Sequence, residues 1–486
     1  MDSNFAAAEL DTHPAGELKY SRTIADLPCP KGRWFFGNSL ELRGRQSHLT
    51  VAKWIREFGP FFRFDTMGTQ LVVIADRDTA DSILRDRPAG FRRSKGTKVV
   101  MNELSIGGVL TAEGDDWRRQ RKLVMGGLSF EVVRNFFPTM VFMTERLMQR
   151  WKAALAEGRA IELHRDMKSL ALDIIMGVAT GHDLNTVGDD EKLLVDNIDS
   201  MMKRLEQRLV AIFPHWRHFK LPVDREVDRS IANVKQTLMA IIENTRERMR
   251  EQPDLHQKPG NMLEAMIASS DNPESGFTEH ELISNAILNV IGGEDTTANT
   301  LAWMINLLAE NSAAAAALTS EVDMVLGDAA VAADWEQMKQ LPYLEAAHSE
   351  TQRLRAVAPL IGVVSNEDCV VAGIFIPKDT PIIVSTTGEG MDETYFPQHE
   401  QFKLERWIFE QKPHKEDDPA RKLFPFGGGP RMCPGRFLAL TQIKLVISMI
   451  MHNFELELEA DAPPVEQVMN FFIGPSAVPV RLKLRA

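Results

Sequence analysis

The sequence predicts a mainly α fold with small β-sheets, and three observations carry that expectation. From about Trp117 to Glu310 the apolar residues recur in long helical patterns with only short breaks. Strand signals, short runs rich in Val, Ile and Phe bounded by Gly, Pro or Asp, are confined to the two ends. A further stretch, Arg436 to about Asn453, is almost wholly apolar, as a helix buried on every side would be. With 486 residues, 44% hydrophobic and 26% charged, the chain is ordinary for a globular protein and can bury a large core.

In chain order, residues 1–26 read as a loose leader, and Leu27 to Asn38 is punctuated by Pro and Gly. Ser47 to Phe58 is helical in pattern. Phe61 to Ala75 reads as two strands around Gly68, and Asp76 caps a helix to about Asp86. After the helical middle, strands return at 363–364, 369–371, 374–376 and 381–384, and 479–485 alternates like a strand. There is no internal repeat, and residues 27–486 are expected to form one domain.

Charge and cysteine use exclude several classes. A formal net charge of −12 argues against wholesale nucleic-acid binding. Three cysteines far apart, Cys29, Cys369 and Cys433, make neither a disulfide framework nor a zinc cluster, and a reducing compartment fits. The polar, acidic N-terminus is no signal peptide, and no apolar run reaches the roughly 18 residues of a membrane span. The expectation is a soluble, cytoplasmic protein without an integral membrane anchor.

The stretch that carries chemistry is Phe424-Pro-Phe-Gly-Gly-Gly-Pro-Arg431-Met-Cys433-Pro-Gly435. Three consecutive glycines give up chain entropy and imply close backbone approach to something bulky. Pro434 suits the first turn of the apolar helix that follows. Cys433 therefore stands at a helix N-terminus with Arg431 nearby, and both favour thiolate over thiol. A nucleophile, a metal ligand and an inert thiol all remain open on this basis.

The spacing Phe426-x-x-Gly429-x-Arg431-x-Cys433-x-Gly435 resembles the heme-binding loop of the cytochrome P-450 superfamily, the heme-thiolate monooxygenases. Three further stretches resemble that family in its order. Gly292-Gly293-Glu294-Asp295-Thr296-Thr297, inside a helical pattern from about Thr278 to Glu310, resembles its oxygen-activating helix. Two mid-helix glycines cost about 1 kcal/mol each relative to alanine, so a bulge is expected there. The resemblance implies that Gly292 and Gly293 line the oxygen pocket. It makes Asp295 and Thr296 the acid and alcohol that supply protons for O–O cleavage. Glu350-Thr-Gln-Arg353, with Arg406 downstream, resembles the buried triad that supports the cysteine loop. Trp117 and Arg121, one helical turn apart, match the pair that holds a heme propionate.

The family resemblance implies the α-rich cytochrome P-450 fold, heme b (iron protoporphyrin IX) with Cys433 as axial thiolate, and O2 as co-substrate. It implies insertion of one oxygen atom into a hydrophobic small molecule, by hydroxylation or epoxidation. The chain ends soon after Arg485, without room for a fused reductase. Electrons are thus expected from a ferredoxin or flavodoxin with its reductase, steered by the basic residues Arg118, Arg119 and Lys122. The lack of a membrane anchor suggests a bacterial-like, stand-alone catalytic domain. By family position the pocket draws on 99–109, 195–225, 286–293, 359–364 and 471–475, mostly apolar segments. A peroxygenase or isomerase on the same fold, and a non-enzymatic heme sensor, are the rivals.

The chain also departs from the family. Ala356 replaces a usual proline, Gly390-Met391 a usual His-Arg, and Leu404 a proline. Val363 stands where many relatives place a propionate-binding arginine, with Asn366 as a candidate substitute.

Overall fold

The computed structural model of the chain describes residues 19–188, 193–211, 213–409, 414 and 418–485. Its described residues fall into two compact units whose segments alternate along the sequence. Residues up to 98, 358–401 and 411–433 make the first; 99–357, 402–410 and 434–486 make the second. Because the segments interleave, no single cut in the sequence separates the units.

The first unit is built on a five-stranded sheet in the order Phe61–Thr66, Thr69–Ile74, Pro381–Ser385, Leu360–Ser365, Phe91–Arg92. The expected hairpin around Gly68 is its edge, with Phe61 opposite Ile74. One face buries Val72, Ile74, Val363, Ile382 and Val384 together with Ile83 and Leu84 of the Arg77–Arg85 helix. Each such side chain contributes about 1.5–3 kcal/mol on burial. Asp76 caps that helix as expected, its carboxylate accepting from the Thr79 N–H at 2.9 Å.

The leader requires a correction. Residues 1–18 lie outside the described residues, but Arg22–Thr23 is a strand paired in parallel with Ile374 and Phe375. Ile24 and Leu27 join the apolar core. Ile24 supplies burial that a loose leader was not expected to have, while Leu27 already belongs to the domain expected from residue 27.

The second unit is helical. Its centre is the helix Glu279–Glu310, opened by Thr278 in a reciprocal cap with Glu281. This helix packs along Leu163–Thr180, which is buried almost throughout. Arg436–Asn453 is also largely buried, as its composition predicts. Two small two-stranded antiparallel sheets complete the unit: Phe454–Leu458 with Val480–Leu484, and the hairpin Gln467–Asn470 with Phe472–Pro475.

The expected bulge at Gly292-Gly293 is absent: the central helix runs unbroken through both. The neighbouring threonines satisfy their hydroxyls within the helix rather than breaking it. The Thr296 hydroxyl donates to the Gly292 carbonyl at 2.9 Å, and Thr300 does the same to Thr296. Gly293 is also clamped from outside, since a Cβ there would stand 2.6 Å from the Ile175 side chain.

Candidate functional site

In the first unit the cysteine loop is a closed turn. The Cys433 N–H donates to the Phe426 carbonyl at 2.9 Å. Gly427 and Gly429 have φ of +70° and +64°, which favours glycine. A Cβ on Gly429 would lie 2.2 Å from the Leu84 carbonyl oxygen, and one on Gly428 would lie 3.3 Å from the Leu84 side chain. The close approach expected from the glycines is thus toward the end of the Arg77–Arg85 helix. Three residues beyond the cysteine, Arg436 begins the apolar helix, so Cys433 stands at a helix N-terminus as expected.

The three cysteines differ in a way the sequence did not show. Cys369 is buried in the apolar core, and burial pushes its thiol up to about 11. Burial also raises the Cys29 thiol. Cys433 alone is exposed, so it is the one thiol positioned to bind something outside the protein core.

In the second unit the central helix presents two different faces. Gly292 is exposed, and a Cβ on it would meet nothing within 4 Å. Thr296, one turn on, is half-buried. The helix is therefore open along Gly292 and Thr296 and closed at Gly293, which belongs to the packing against Leu163–Thr180 and not to an open face.

The opposite face holds a charged cluster. Lys168, on the Leu163–Thr180 helix, lies 3.0 Å from Asp295 and 3.8 Å from Glu294, and forms a short ion pair with Asp199. The three carboxylates lie within 4.8 Å of one another, an arrangement fit for a cation, and the cation among them is the Lys168 ammonium. Burial alone would depress Lys168, but the surrounding carboxylates hold it above its usual range. Glu294 is fully buried without a hydrogen-bond partner among the described residues, and burial raises its carboxyl well above the ordinary range. His164 Nε2 donates to the Asn299 side-chain oxygen at 2.8 Å, and burial lowers its imidazole.

This geometry separates the expected acid and alcohol. Asp295 accepts from Asn299 Nδ2 at 3.2 Å and faces Lys168, whereas Thr296 bonds back along the helix. Successive helix residues point about 100° apart, so neighbours in sequence serve different faces. Lys168 and Asn299 went unnoticed in the sequence. Lys168 is one of several charged residues in its helix, with Arg165, Asp166 and Asp173, so nothing in the sequence singled it out.

The Glu350–Arg353–Arg406 set assembles as expected and is larger than expected. Arg353 donates twice to Glu350, at 2.7 and 2.8 Å, and Arg406 Nε donates at 3.2 Å. The Lys403 N–H and the Trp407 indole N–H each donate at 2.9 Å. Trp407 was missed, although it directly follows Arg406.

Trp117 and Arg121 lie on the helix Gly114–Gly127, Trp117 buried and Arg121 half-buried. Between them Gln120 donates to Glu281 and accepts from Asn285, tying this helix to the central one. The expected basic patch is largely neutralised. Arg118 pairs with Asp115, and Arg119 with Asp116 and Glu281, because acidic residues precede them by one helical turn.

Val363 points into the apolar core, 2% exposed. Asn366 does not substitute for an arginine there. Its amide donates to the Pro88 and Ala89 carbonyls, and its oxygen accepts from Arg92 at 2.7 Å.

The Cytochrome P450 family model matches residues 27–480. The chain belongs to the cytochrome P450 family. It is similar to the Arabidopsis thaliana chloroplastic protein LUTEIN DEFICIENT 5, 25% identical over 93% of this chain and 76% of that protein. It is also similar to the chloroplastic carotene epsilon-monooxygenase of the same plant, 24% identical over 87% and 79%. Rabbit (Oryctolagus cuniculus) cytochrome P450 3A6 is 24% identical over 89% and 86%. These relatives are plant and animal proteins. As a cytochrome P450 the chain is a monooxygenase that uses heme b with an axial cysteine thiolate and O2 as co-substrate. Cys433 fits that group by its own chemistry, an exposed thiol just ahead of a helix.

Proposed function

We propose that this cytochrome P450 inserts one oxygen atom from O2 into a hydrophobic organic substrate, with Cys433 as the heme ligand and electrons supplied by a separate ferredoxin or flavodoxin. The observation that carries the ligand assignment is the exposure of Cys433 alone among the three cysteines. The heme supplies the oxidising chemistry; the chain's own residues hold, orient and protonate. Phe426 and Gly435 flank the cysteine turn, and Trp117, Arg121 and Arg431 are the groups offered to the propionates. Thr296 is the hydroxyl on the open face, able to donate and accept a proton there. Asp295 acts from behind it, its carboxylate held by Lys168 and Asn299. Gly292 keeps the helix bare where a side chain would obstruct. Glu350, Arg353 and Arg406 are structural.

A hydrophobic substrate is supported by the apolar segments around 99–109, 286–293 and 471–475. A soluble, cytoplasmic enzyme is supported by the absence of any single helix, among the described residues, long and apolar enough to cross a membrane. The test is a carbon monoxide difference spectrum of the reduced protein. The expected result is a Soret band at the thiolate position, lost in Cys433→Ser. The band's absence in the wild type, or its survival in that variant, overturns the assignment. Consumption of reduced nicotinamide with a surrogate ferredoxin system separates a monooxygenase from a peroxygenase or a sensor.

A further inference from the structure

The two most exposed large apolar side chains among the described residues of the first unit, Trp34 and Phe35, are consecutive, and Phe36 follows them. Trp34 is 95% exposed, Phe35 69% and Phe36 39%. They sit at the tip of a loop closed by two backbone hydrogen bonds of 2.8 Å between Arg33 and Gly37. The loop is rigidly seated. Gly37, at φ +53°, is so close to Asp65 that a Cβ would fall 2.2 Å from its carbonyl oxygen. The Asn38 N–H donates to that same oxygen at 2.6 Å. Gly37 is bridged to Thr66, and Met67 on the hairpin beside it is 40% exposed. Phe35 and Phe36 pack edge to face at 5.3 Å, so neither ring folds back to cover Trp34.

A mobile loop would be free to bury its tryptophan. This one is held so that it cannot, and three aromatic rings stay in water at a cost in free energy. The surrounding charge indicates what relieves that cost. Residues 31–45 carry Lys31, Arg33, Arg43 and Arg45, all exposed, against the single acid Glu41, in a chain whose net charge is −12. Aromatic rings flanked by lysine and arginine suit the boundary between lipid headgroups and acyl chains, where rings insert and cations meet anionic headgroups. Among the described residues no single helix is fit to span a bilayer, so the contact would be peripheral.

We infer that the Trp34–Phe36 tip and its basic flank form a docking site for the surface of an anionic lipid bilayer. A hydrophobic substrate partitions into the same phase, so docking would bring the enzyme to its substrate.

The test is co-sedimentation of the full-length holoprotein with vesicles of phosphatidylcholine, with and without about 30 mol% phosphatidylglycerol. Binding is expected to be about tenfold or more tighter on the anionic vesicles and to weaken in high salt. Trp34→Ala with Phe35→Ala should weaken it about tenfold, while the circular dichroism and the carbon monoxide band stay unchanged. Arg43→Glu with Arg45→Glu should remove the preference for anionic lipid. Trp34→Phe should keep binding but lose most quenching of tryptophan emission by brominated lipid. No vesicle binding, binding untouched by the double alanine variant, or a Trp34-dependent dimer without vesicle binding would each overturn the inference. The vesicle assay does not depend on thiolate ligation, so its failure is distinguishable from failure of the Cys433 assignment.

Discussion

Two fully buried glutamates of the second unit, Glu350 and Glu294, stand in opposite situations. Glu350 receives hydrogen bonds from two arginines, an indole and a backbone N–H. Glu294 receives none among the described residues, and its nearest cation is 3.8 Å away. A buried carboxylate with all its lone pairs occupied is a rigid joint, here between the helix Pro342–Leu354 and residues 403–407. One without partners is expelled from its charged form by burial and keeps its proton. The same residue type is thus structural in one place and titratable in the other.

The comparison breaks most visibly at Glu350. Glu350→Gln leaves two guanidiniums competing for a neutral amide, and denaturant unfolding should show a loss of about 3–5 kcal/mol. Lys168→Met comes next. It removes the cation from between Asp295 and Asp199, of which Asp199 is well exposed and can rehydrate, so the loss should be about 2–4 kcal/mol. A loss near zero would mean that the cluster does not form.

His348 supplies a third kind of buried group, with burial lowering its imidazole to about 4 from 6.5. The unfolded chain then binds the extra proton first as pH falls below 6.5. Stability should decline from there to about pH 4, by about 3 kcal/mol in total. His348→Leu should flatten that part of the pH profile.

Glu294→Gln should change stability by less than about 1 kcal/mol at acidic pH, since it replaces a neutral carboxyl by a neutral amide. The sign with pH differs from His348. The unfolded carboxyl ionises near 4.5 while the folded one keeps its proton, so wild-type stability falls as pH rises past that value. The variant should not show that fall, and it should lose a protonated-carboxyl band in the infrared. A Glu294→Gln penalty as large as that of Glu350→Gln would erase the distinction between the two sites. The smallest effect on stability is expected at Thr296→Ala, about 1 kcal/mol or less, yet it should uncouple turnover and raise peroxide over product. Intact coupling would remove Thr296 from proton delivery.

Much of this was legible in the sequence for local reasons. The helix Ser47–Phe58, the hairpin around Gly68, the Asp76 cap and the Thr278-to-Glu310 helix depend on neighbours a few residues apart. The Cys433 turn and the Glu350–Arg353 pair are also short-range patterns. The unbroken helix at Gly292-Gly293 was not legible, because its glycine is stabilised by Ile175 from another helix. Nor was the strand Arg22–Thr23, whose partner lies at the far end of the chain.

The sequence by itself determined the family, the order of the elements and which residue types could do the chemistry, because motif spacing and apolar periodicity are properties of adjacent residues. Only the tertiary structure decided which face each residue serves. It exposed Cys433 and buried Cys369. It turned Asp295 toward Lys168 and Thr296 toward open space, and it spent Asn366 on a turn. Burial and long-range partners set whether a carboxyl is charged, a glycine is open or an arginine is already paired, and neither is written in the local sequence.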